Sequence, residues 1–345
     1  MPRQLRELPH DFLWTIGTIA WEATGISTKR SDSLVVFMNF TRSKEENEFL
    51  TFDRIVKIRS TVEKYGEDQF YVSFSGGKDS TVLSHLIDLA IPGNKIPRVY
   101  ANTGIEMNAV RDFVLELQKT DPRIEIIKPS VNIKAALERD GYPFKSKEHS
   151  MYVDIYQRNG MCKTVDRYLN PEESRKTFGC PDTLKYQFTE EFHLKCSKKC
   201  CYNMKEKPME NYAKAHNRPI AFIGLLGDEK GGRNSAKCFV DASYGKHFQP
   251  LTACDHEWEE YFIKKEGIKL CILYEKYGFE RTGCKGCPYN INLQETLDTL
   301  AEYFPAERKQ CEIIWGPVYE EYRRLGYRLK RKGQIKGQLS VFDLV

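Results

Sequence analysis

The chain has 345 residues, of which 41% are hydrophobic and 12% aromatic, enough for one large globular domain or two modest ones. Its net charge of +5 is a mild excess that does not by itself indicate a partner. No apolar run is long enough to cross a bilayer, and residues 1–9 lack the features of a secretory signal, so we expect a cytoplasmic protein without membrane contact.

Predicted strands and helices alternate along the chain, in the order expected of a parallel sheet with crossover helices. Residues 33–40 are predicted to form a strand or a covering hairpin, and a helix over 51–66 closes at Gly66. The apolar residues of the segment 81–90 repeat at helical spacing, so a helix follows the first strand of the sheet. The predicted strands of the sheet cover residues 69–74, 98–102, 123–127 and 219–225.

Residues 141–200 are charged, rich in Tyr and Cys and poor in strand signals, which indicates a helical insertion with loops. Two helical stretches and a basic tail follow Cys287. The whole pattern predicts an α/β fold, an open and mostly parallel sheet with helices on both faces, extended by the Cys-rich insertion and the C-terminal helices. We expect an N-terminal covering segment, an α/β nucleotide-binding domain, a C-x-x-C and helical region and a basic tail, at residues 1–55, 56–270, 271–322 and 323–345.

Between the first strand of the sheet and its helix lies a glycine-rich turn, Ser75-Gly76-Gly77-Lys78-Asp79-Ser80. Glycines let backbone N–H groups approach an anion, and the N-terminus of the following helix attracts negative charge. The spacing matches neither the Walker pattern nor the dinucleotide fingerprint. It resembles the PP-loop of the ATP pyrophosphatases, enzymes that cleave ATP between the α and β phosphates. A polar turn with a helix N-cap is the alternative.

The resemblance implies a role for each residue of this turn. Lys78 would place a point charge on the departing pyrophosphate, and Asp79 would steady the turn or a Mg²⁺ ion. Hydrogen bonds to the pyrophosphate would come from Ser75, Gly76, Gly77 and Ser80.

A second nucleotide signal is the turn at residues 102–106, Asn-Thr-Gly-Ile-Glu, which follows the second strand of the sheet. Open α/β sheets bind ligands at such strand ends. Taken alone, the pentapeptide is more typical of an ordinary turn. Its candidate nucleotide contacts are Thr103, Gly104 and Glu106.

Five of the eleven cysteines cluster in two places, Cys196, Cys200 and Cys201 in one and Cys284 and Cys287 in the other. In a cytoplasmic protein this clustering indicates thiolates that bind a metal rather than disulfides.

The order of these cysteines and of the motifs around them resembles the phosphoadenosine phosphosulfate (PAPS) reductase family, including the adenylyl sulfate reductases that carry an iron–sulfur cluster. The resemblance covers about residues 60–290 and implies an adenine nucleotide alpha hydrolase-like fold. The motifs that carry it, besides the glycine-rich turn, lie at residues 200–208, 224–233, 250–258 and 283–288.

In the cluster-bearing members of this family an adjacent cysteine pair and a later C-x-x-C bind one 4Fe-4S centre. Four thiolates suit iron–sulfur chemistry, and they also suit a structural Zn²⁺ site. An adjacent pair is awkward for a zinc knuckle, which favours the cluster, and Cys196 is a candidate replacement for one of the pair. The ligands that carry over to this sequence are Cys200, Cys201, Cys284 and Cys287.

Two cations also carry over from the family, Lys205 within Lys-x-x-Pro and Arg233. The resemblance implies that they contact the phosphate or sulfate end of the nucleotide. An ordinary surface charge is the alternative for each. Together with Lys78 and Asp79 they form the predicted catalytic set.

The chain departs from the sulfonucleotide reductases near its C-terminus. Those enzymes attack the sulfate with a cysteine in Glu-Cys-Gly-Leu-His, a motif that this sequence lacks. The nearest candidate nucleophile is Cys311, but the residues after it predict an amphipathic helix with Cys311 in the core. The glycine-rich turn, by contrast, is complete here and generally degraded in those reductases, which favours ATP as the ligand.

The basic segment 323–336 supplies seven positive side chains, with Tyr322 and Tyr327 beside and within it. Such cations can contact phosphates and such tyrosines can stack on bases, a combination that suits nucleic acid, and a solvated helix face is the alternative. The pentapeptide at residues 338–342 resembles the peptide by which bacterial DNA-maintenance proteins dock on the replication sliding clamp. Its residues are Gln338, Leu339, Ser340, Val341 and Phe342.

We therefore expect a PP-loop enzyme that binds ATP, Mg²⁺ and a 4Fe-4S cluster. It would cleave ATP to AMP and pyrophosphate and so activate an acceptor for sulfur transfer, with nucleic acid as a candidate acceptor and a sulfur donor or reductant protein as partner. Two alternatives stay open. One is a sulfonucleotide reductase that uses Cys311 and releases sulfite, and the other is a non-catalytic nucleotide- or DNA-binding module with a structural metal.

Overall fold

A computed structural model describes residues 42–172, 178–228, 237–242 and 245–331 of the chain, all within one unit that begins at Arg42. The strands in this part of the chain are Phe70–Ser73 (β1), Arg98–Ala101 (β2), Ile124–Ile127 (β3), Ile220–Phe222 (β4), Phe239–Asp241 (β5) and Lys246–Phe248 (β6). They form one sheet in the order β3-β2-β1-β4-β6-β5. Every neighbouring pair is parallel except β5 with β6, which confirms the predicted open and mostly parallel sheet.

Helices fill the connections between these strands and the region after them. They are Lys44–Tyr65 (α1), Lys78–Ala90 (α2), Asn108–Thr120 (α3), Ile133–Asp140 (α4), Lys147–Asn159 (α5), Lys163–Leu169 (α6), Lys199–Cys201 (α7), Lys207–Ala215 (α8), His256–Glu266 (α9), Ile272–Glu275 (α10), Leu293–Tyr303 (α11) and Pro305–Leu325 (α12). A π-helical turn, Tyr202–Glu206, joins α7 to α8. No helix of the described residues is both long and apolar enough to span a bilayer.

Helices cover both faces of the sheet, because successive strand residues point to opposite sides. Phe70 and Val72 of β1 pack with α2 and with Trp258 of α9 in one apolar cluster. Tyr71, which lies between them, packs on the other face with Tyr212 of α8. The predicted two-faced α/β architecture is therefore confirmed.

A separate apolar cluster joins the insertion to the C-terminal helices. It contains Val153 of α5, Val165 of α6, Leu297 of α11 and Trp315 of α12, all buried. The two regions are far apart in sequence but share one core, which also encloses Cys200. This core fixes the position of both cysteine segments.

Two strands and the starts of two helices differ from the predictions. Strands β5 and β6 were not predicted, because their sequences Phe-Val-Asp and Lys-His-Phe contain no apolar run and their stability comes from pairing with each other and with β4. Helix α1 begins seven residues before the predicted start at residue 51, because Ser43 and Glu46 form a capping box. Helix α2 begins at Lys78, three residues before the predicted start at residue 81. The predicted strand or hairpin at 33–40 lies outside the described residues.

Candidate active site

The glycine-rich turn at residues 75–80, called the phosphate loop below, leads from β1 into the first turn of α2. The Ser75 N–H donates to Ser80 Oγ at 3.2 Å, and Ser80 Oγ donates to the Gly77 carbonyl at 3.0 Å. Ser75 Oγ in turn accepts the Gly77 N–H at 3.3 Å. The two serine hydroxyls thus hold the loop in a closed turn at the positive end of the α2 dipole.

Gly76 shows why this turn needs glycine. Its φ is +69°, and a Cβ at this position would lie 2.6 Å from Cγ2 of Val114 on α3. A side chain would therefore be strained and would collide with the helix packed on the loop. The phosphate loop lies directly against α3, with its backbone close to the end of the sheet.

The ammonium group and the backbone N–H of Lys78 each contact a group from the C-terminal half of the chain. Its Nζ lies 2.8 Å from Oε2 of Glu259 on α9, and its N–H donates to the Tyr274 hydroxyl at 3.1 Å. The Tyr274 hydroxyl also lies 2.6 Å from the Thr282 hydroxyl. Sequence reasoning missed these three residues, since none belongs to a recognisable motif.

The pair of Lys78 and Glu259 is electrostatically tight. Burial opposes the charge on Lys78, but the contact with Glu259 outweighs it and raises the pKa of the ammonium group. Burial and the charge of Asp79 raise the pKa of Glu259 to about 7, although Lys78 acts in the opposite direction. The Glu259 side chain is fully buried, so this carboxylate relies on Lys78 for its stability.

The second turn follows β2, as predicted, and its carboxylate folds back on it. Glu106 Oε1 accepts the Thr103 N–H at 2.9 Å and the Thr103 hydroxyl at 2.6 Å. The backbone of Glu106 forms an antiparallel bridge with Cys284, and the Lys285 N–H donates to the Ile105 carbonyl at 2.7 Å. The turn that contains Gly104 is therefore joined directly to the C-x-x-C segment.

A cavity of about 260 Å³ lies at the carboxyl end of the sheet. Ser75 of the phosphate loop, Glu106 of the second turn and Lys205 all line it. The buried Tyr100 hydroxyl also lies at this cavity and has no hydrogen-bond partner among the residues that the structure describes. Tyr71, Ser73, Phe74, Ala101, Glu206, Met209, Glu210, Ile223, Ala242 and His247 complete the lining. An apolar floor with a few polar groups at the rim is typical of a small-molecule site.

Lys205 reaches the cavity from the π-helical turn between α7 and α8. Pro208 is the second residue of α8, and a proline lacks the backbone N–H and crowds the carbonyl four residues before it. The wider π-turn accommodates this proline and rotates Lys205 relative to the cysteine pair. The Lys-x-x-Pro spacing therefore has a backbone cause as well as a place in the family motif.

The four predicted ligand cysteines lie near one another. A hydrogen bond from Cys200 lowers the pKa of Cys201. The same hydrogen bond and burial raise the pKa of Cys200, and the nearby charges of Cys287 and Cys284 raise it further. Cys284, above all, raises the pKa of Lys205, so the ammonium group lies against the sulfur site. Within the described ranges, no three His, Cys, Asp or Glu side chains are arranged to hold a metal ion.

Helix α12 holds the C-x-x-C segment through three buried aromatic side chains. Trp315 Nε1 donates to the Lys285 carbonyl at 2.9 Å, and the Tyr322 hydroxyl donates to the Pro288 carbonyl at 2.9 Å. Between them, the Tyr319 hydroxyl donates to the Gly286 carbonyl. The carbonyls of residues 285, 286 and 288 are therefore all fixed by one helix.

Cys196 lies apart from these four cysteines, whereas Cys311 packs against Gly286 of the C-x-x-C segment. Burial raises the pKa of Cys196, whose charged neighbours are Glu321 and Asp154 rather than the other cysteines. Cys311 is fully buried on α12, which confirms its prediction as a core residue. Arg233 lies outside the described residues.

The basic segment is partly engaged within the protein. Arg323 pairs with Glu312, Arg324 lies 2.7 Å from Glu321 Oε1, and Tyr322 is fully buried. The prediction that Tyr322 is available to stack on bases is therefore wrong, because its ring belongs to the core that holds the C-x-x-C segment. Residues 332–336 and the docking pentapeptide 338–342 lie outside the described part of the chain.

A family model described as the phosphoadenosine phosphosulfate reductase domain matches residues 69–171 and 163–290. The matched residues include the phosphate loop, Lys205 and the four cysteines. Comparison with curated protein sequences gives no match.

Among solved structures, the chain is similar to a PAPS reductase from Candida auris in a phosphate complex, with 14% identity and a TM-score of 0.41 over 70% of this chain and 96% of that one. It is similar to yeast FAD synthetase in complex with FAD, with 13% identity and a TM-score of 0.40 over 81% and 86% of the two chains. It is also similar to a U34-tRNA thiolase from Methanococcus maripaludis with its 4Fe-4S cluster, with 16% identity and a TM-score of 0.33 over 85% of each chain.

Proposed function

This chain belongs to the phosphoadenosine phosphosulfate reductase domain family, and we propose that it is a PP-loop enzyme that cleaves ATP between the α and β phosphates to activate an acceptor for sulfur transfer. One observation carries the proposal: a single cavity is lined both by Ser75 of the phosphate loop and by Lys205, whose ammonium group lies against Cys284. A nucleotide in this cavity would contact both the phosphate loop, through Ser75, and the lysine that lies beside the thiol site.

The phosphate loop supplies the electrostatic part of the reaction. The N–H groups in the first turn of α2, together with Lys78, would stabilise the charge that develops on the departing pyrophosphate. Mg²⁺ carried by the nucleotide would neutralise part of the same charge. The rest of the cavity holds the nucleoside, so that the α phosphate and the acceptor stay in line.

Lys205 acts at the other end of the cavity. It is exposed there, and its positive charge faces both the nucleotide and the sulfur of Cys284. In this position it would hold an anionic acceptor or adenylate next to the cysteines.

The donor set of the cysteine site fits a 4Fe-4S cluster. In a 4Fe-4S cluster each iron takes one cysteine thiolate. The four cysteine sulfurs therefore do not converge on a single ion, as they must for zinc. The hydrogen bond from Cys200 lowers the pKa of Cys201, which favours the thiolate form that binds metal. When bound, the cluster would supply sulfur or electrons to the activated acceptor.

The alternative of a sulfonucleotide reductase that uses Cys311 has less support. Burial raises the pKa of Cys311 to about 12, so the thiol is neither ionised at neutral pH nor open to a substrate. The complete phosphate loop also favours a ligand with a β–γ pyrophosphate. Nucleic acid as the acceptor stays a prediction, because the described cations of the basic segment at Arg323 and Arg324 already have acidic partners.

Anaerobically purified protein provides the test. We expect pyrophosphate release from ATP, and sulfite release from PAPS with thioredoxin would instead support the reductase. Lys78→Ala alone would leave Glu259 buried without its partner, so Lys78→Ala is combined with Glu259→Gln and should lose pyrophosphate release while keeping its fold. Lys264→Ala, at an exposed lysine of α9, is the matched control and should keep full activity. Iron and zinc analysis of the same sample identifies the metal.

A further inference from the structure

Glu259 is a buried carboxylate placed directly on the lysine of the phosphate loop. Helix α9 is anchored at its start, where Asp255 Oδ1 accepts the Trp258 N–H at 3.0 Å, and along its length by the buried rings of Trp258 and Phe262. The helix packs against α2, so Glu259 has a fixed position rather than a mobile one. Its side chain is fully buried, whereas that of the next residue, Glu260, is exposed.

Lys78 is the principal partner of this carboxylate. The charged groups that act on Glu259 are Lys78 and Asp79 of α2 and His256 of α9, whose Nδ1 lies 3.5 Å away. Asp79 carries the same charge as Glu259, and His256 is half exposed. Neither carboxylate oxygen accepts a directed hydrogen bond from any group that the structure describes. Burying a carboxylate with one close cation and no directed hydrogen bond is energetically unfavourable, so we expect this charge to have a functional role.

A phosphate bound by the loop would compete with Glu259 for the same ammonium group. Any phosphate oxygen in contact with Lys78 Nζ lies within a few ångströms of Glu259, and like charges brought together in a buried site repel strongly. The Lys78 N–H is occupied in a similar way by the Tyr274 hydroxyl. A phosphate at this position therefore contends with Glu259 for the charge of the ammonium group and with Tyr274 for the backbone N–H.

We propose that Glu259 takes the place of a phosphate at the loop. It pairs with Lys78 when the loop is empty and pairs with Lys78 again as pyrophosphate leaves. This inference rests on the proposed function, because it takes pyrophosphate as the ligand of the loop. Glu259 weakens pyrophosphate binding and thereby speeds its release after ATP is cleaved. Product release limits the rate of many enzymes, so a group that opposes product binding favours turnover.

Glu259→Gln isolates the effect of the charge, because the amide has nearly the size and shape of the carboxylate but is neutral. We expect this variant to bind inorganic pyrophosphate about tenfold more tightly than the wild type in calorimetry on the full, metal-replete chain at about pH 8. Its release of pyrophosphate in a single-turnover experiment with ATP should be slower by a similar factor. Glu260→Gln, which removes an exposed charge from the neighbouring position, should leave both quantities within about twofold of the wild type.

The outcomes separate this inference from the proposed function. Unchanged or weaker pyrophosphate binding by folded Glu259→Gln, with normal ATP binding by the wild type, overturns the role of Glu259 alone. No binding of either ATP or pyrophosphate to the wild type overturns both. Thermal unfolding checks the fold, and if Glu259→Gln does not fold, Glu259→Ala is measured instead, with tighter binding again expected.

Discussion

Glu307 offers the sharpest test of how the two halves of the site are held together. Its Oε2 lies 3.0 Å from Lys285 Nζ, and it also accepts the N–H of Asn108 at the start of α3, at 3.0 Å. Both ionic side chains are almost completely buried, with 1% exposure for Lys285 and 5% for Glu307. Lys285 follows Cys284, and Asn108 follows the turn that contains Glu106, so this pair links the cysteine segment to the nucleotide turn.

Glu307→Gln should lower the free energy of unfolding by about 3 kcal/mol, because it leaves the Lys285 ammonium buried without a counter-charge. The remaining contact of Lys285 Nζ with Gln310 Oε1, at 2.8 Å, keeps the loss at the lower end of the expected range. Urea unfolding measures the effect, and Trp315, which donates to the Lys285 carbonyl, makes fluorescence a local probe.

A double-mutant cycle tests the reasoning rather than the number alone. Lys285→Met combined with Glu307→Gln removes both charges, and the double variant should be more stable than Glu307→Gln by about 2 kcal/mol. Additive losses from the two single variants would refute the idea that an uncompensated charge causes the instability. A loss below about 1 kcal/mol in Glu307→Gln would refute the assumed burial of the pair.

Burial lowers the pKa of His149 from 6.5 to about 4, so the unfolded state binds the proton more tightly than the folded state. The resulting contribution to stability is present above pH 6.5 and falls by about 3 kcal/mol as the pH drops to 4. Urea titrations should therefore show a weaker pH dependence of stability in His149→Gln. Gly286→Ala should destabilise the protein by about 2–4 kcal/mol in the same assay, because the φ of Gly286 is +59° and the new Cβ would lie 2.3 Å from the Tyr319 hydroxyl. Near-wild-type stability of this variant would contradict the packing of Tyr319 on Gly286. Tyr322→Phe should lower the free energy of unfolding by about 1–2 kcal/mol, because the Pro288 carbonyl loses its hydrogen-bond donor. The variant should also lose bound metal to a chelator faster than the wild type. An unchanged rate of metal loss would show that this hydrogen bond does not support the cysteine segment.

The nucleotide end of the site could be predicted because its information is local. The phosphate loop is six consecutive residues between a strand and a helix, and the second turn directly follows a strand, so short-range patterns were enough to find both. The same holds for β1 to β4, whose apolar runs end in turn residues. Their order in the sheet, β3-β2-β1-β4, came only from the structure.

The predictions that failed depended on the environment of a residue rather than on its neighbours in sequence. Tyr322 lies beside a run of cations and was predicted to stack on bases, but its ring is buried and its hydroxyl holds the Pro288 carbonyl. Strands β5 and β6, Phe-Val-Asp and Lys-His-Phe, are short and carry polar residues, so only their pairing with each other and with β4 defines them.

The sequence by itself therefore determined the family, the parallel sheet and the position of the phosphate loop, since each depends on contiguous residues. Only the tertiary structure placed Glu259 and Tyr274 on Lys78, from 181 and 196 positions further along the chain. It also brought the pair of Cys200 and Cys201 to the C-x-x-C segment. Ion pairs and shared cores act through space, so residues distant in sequence meet only when the helices that carry them pack against the sheet.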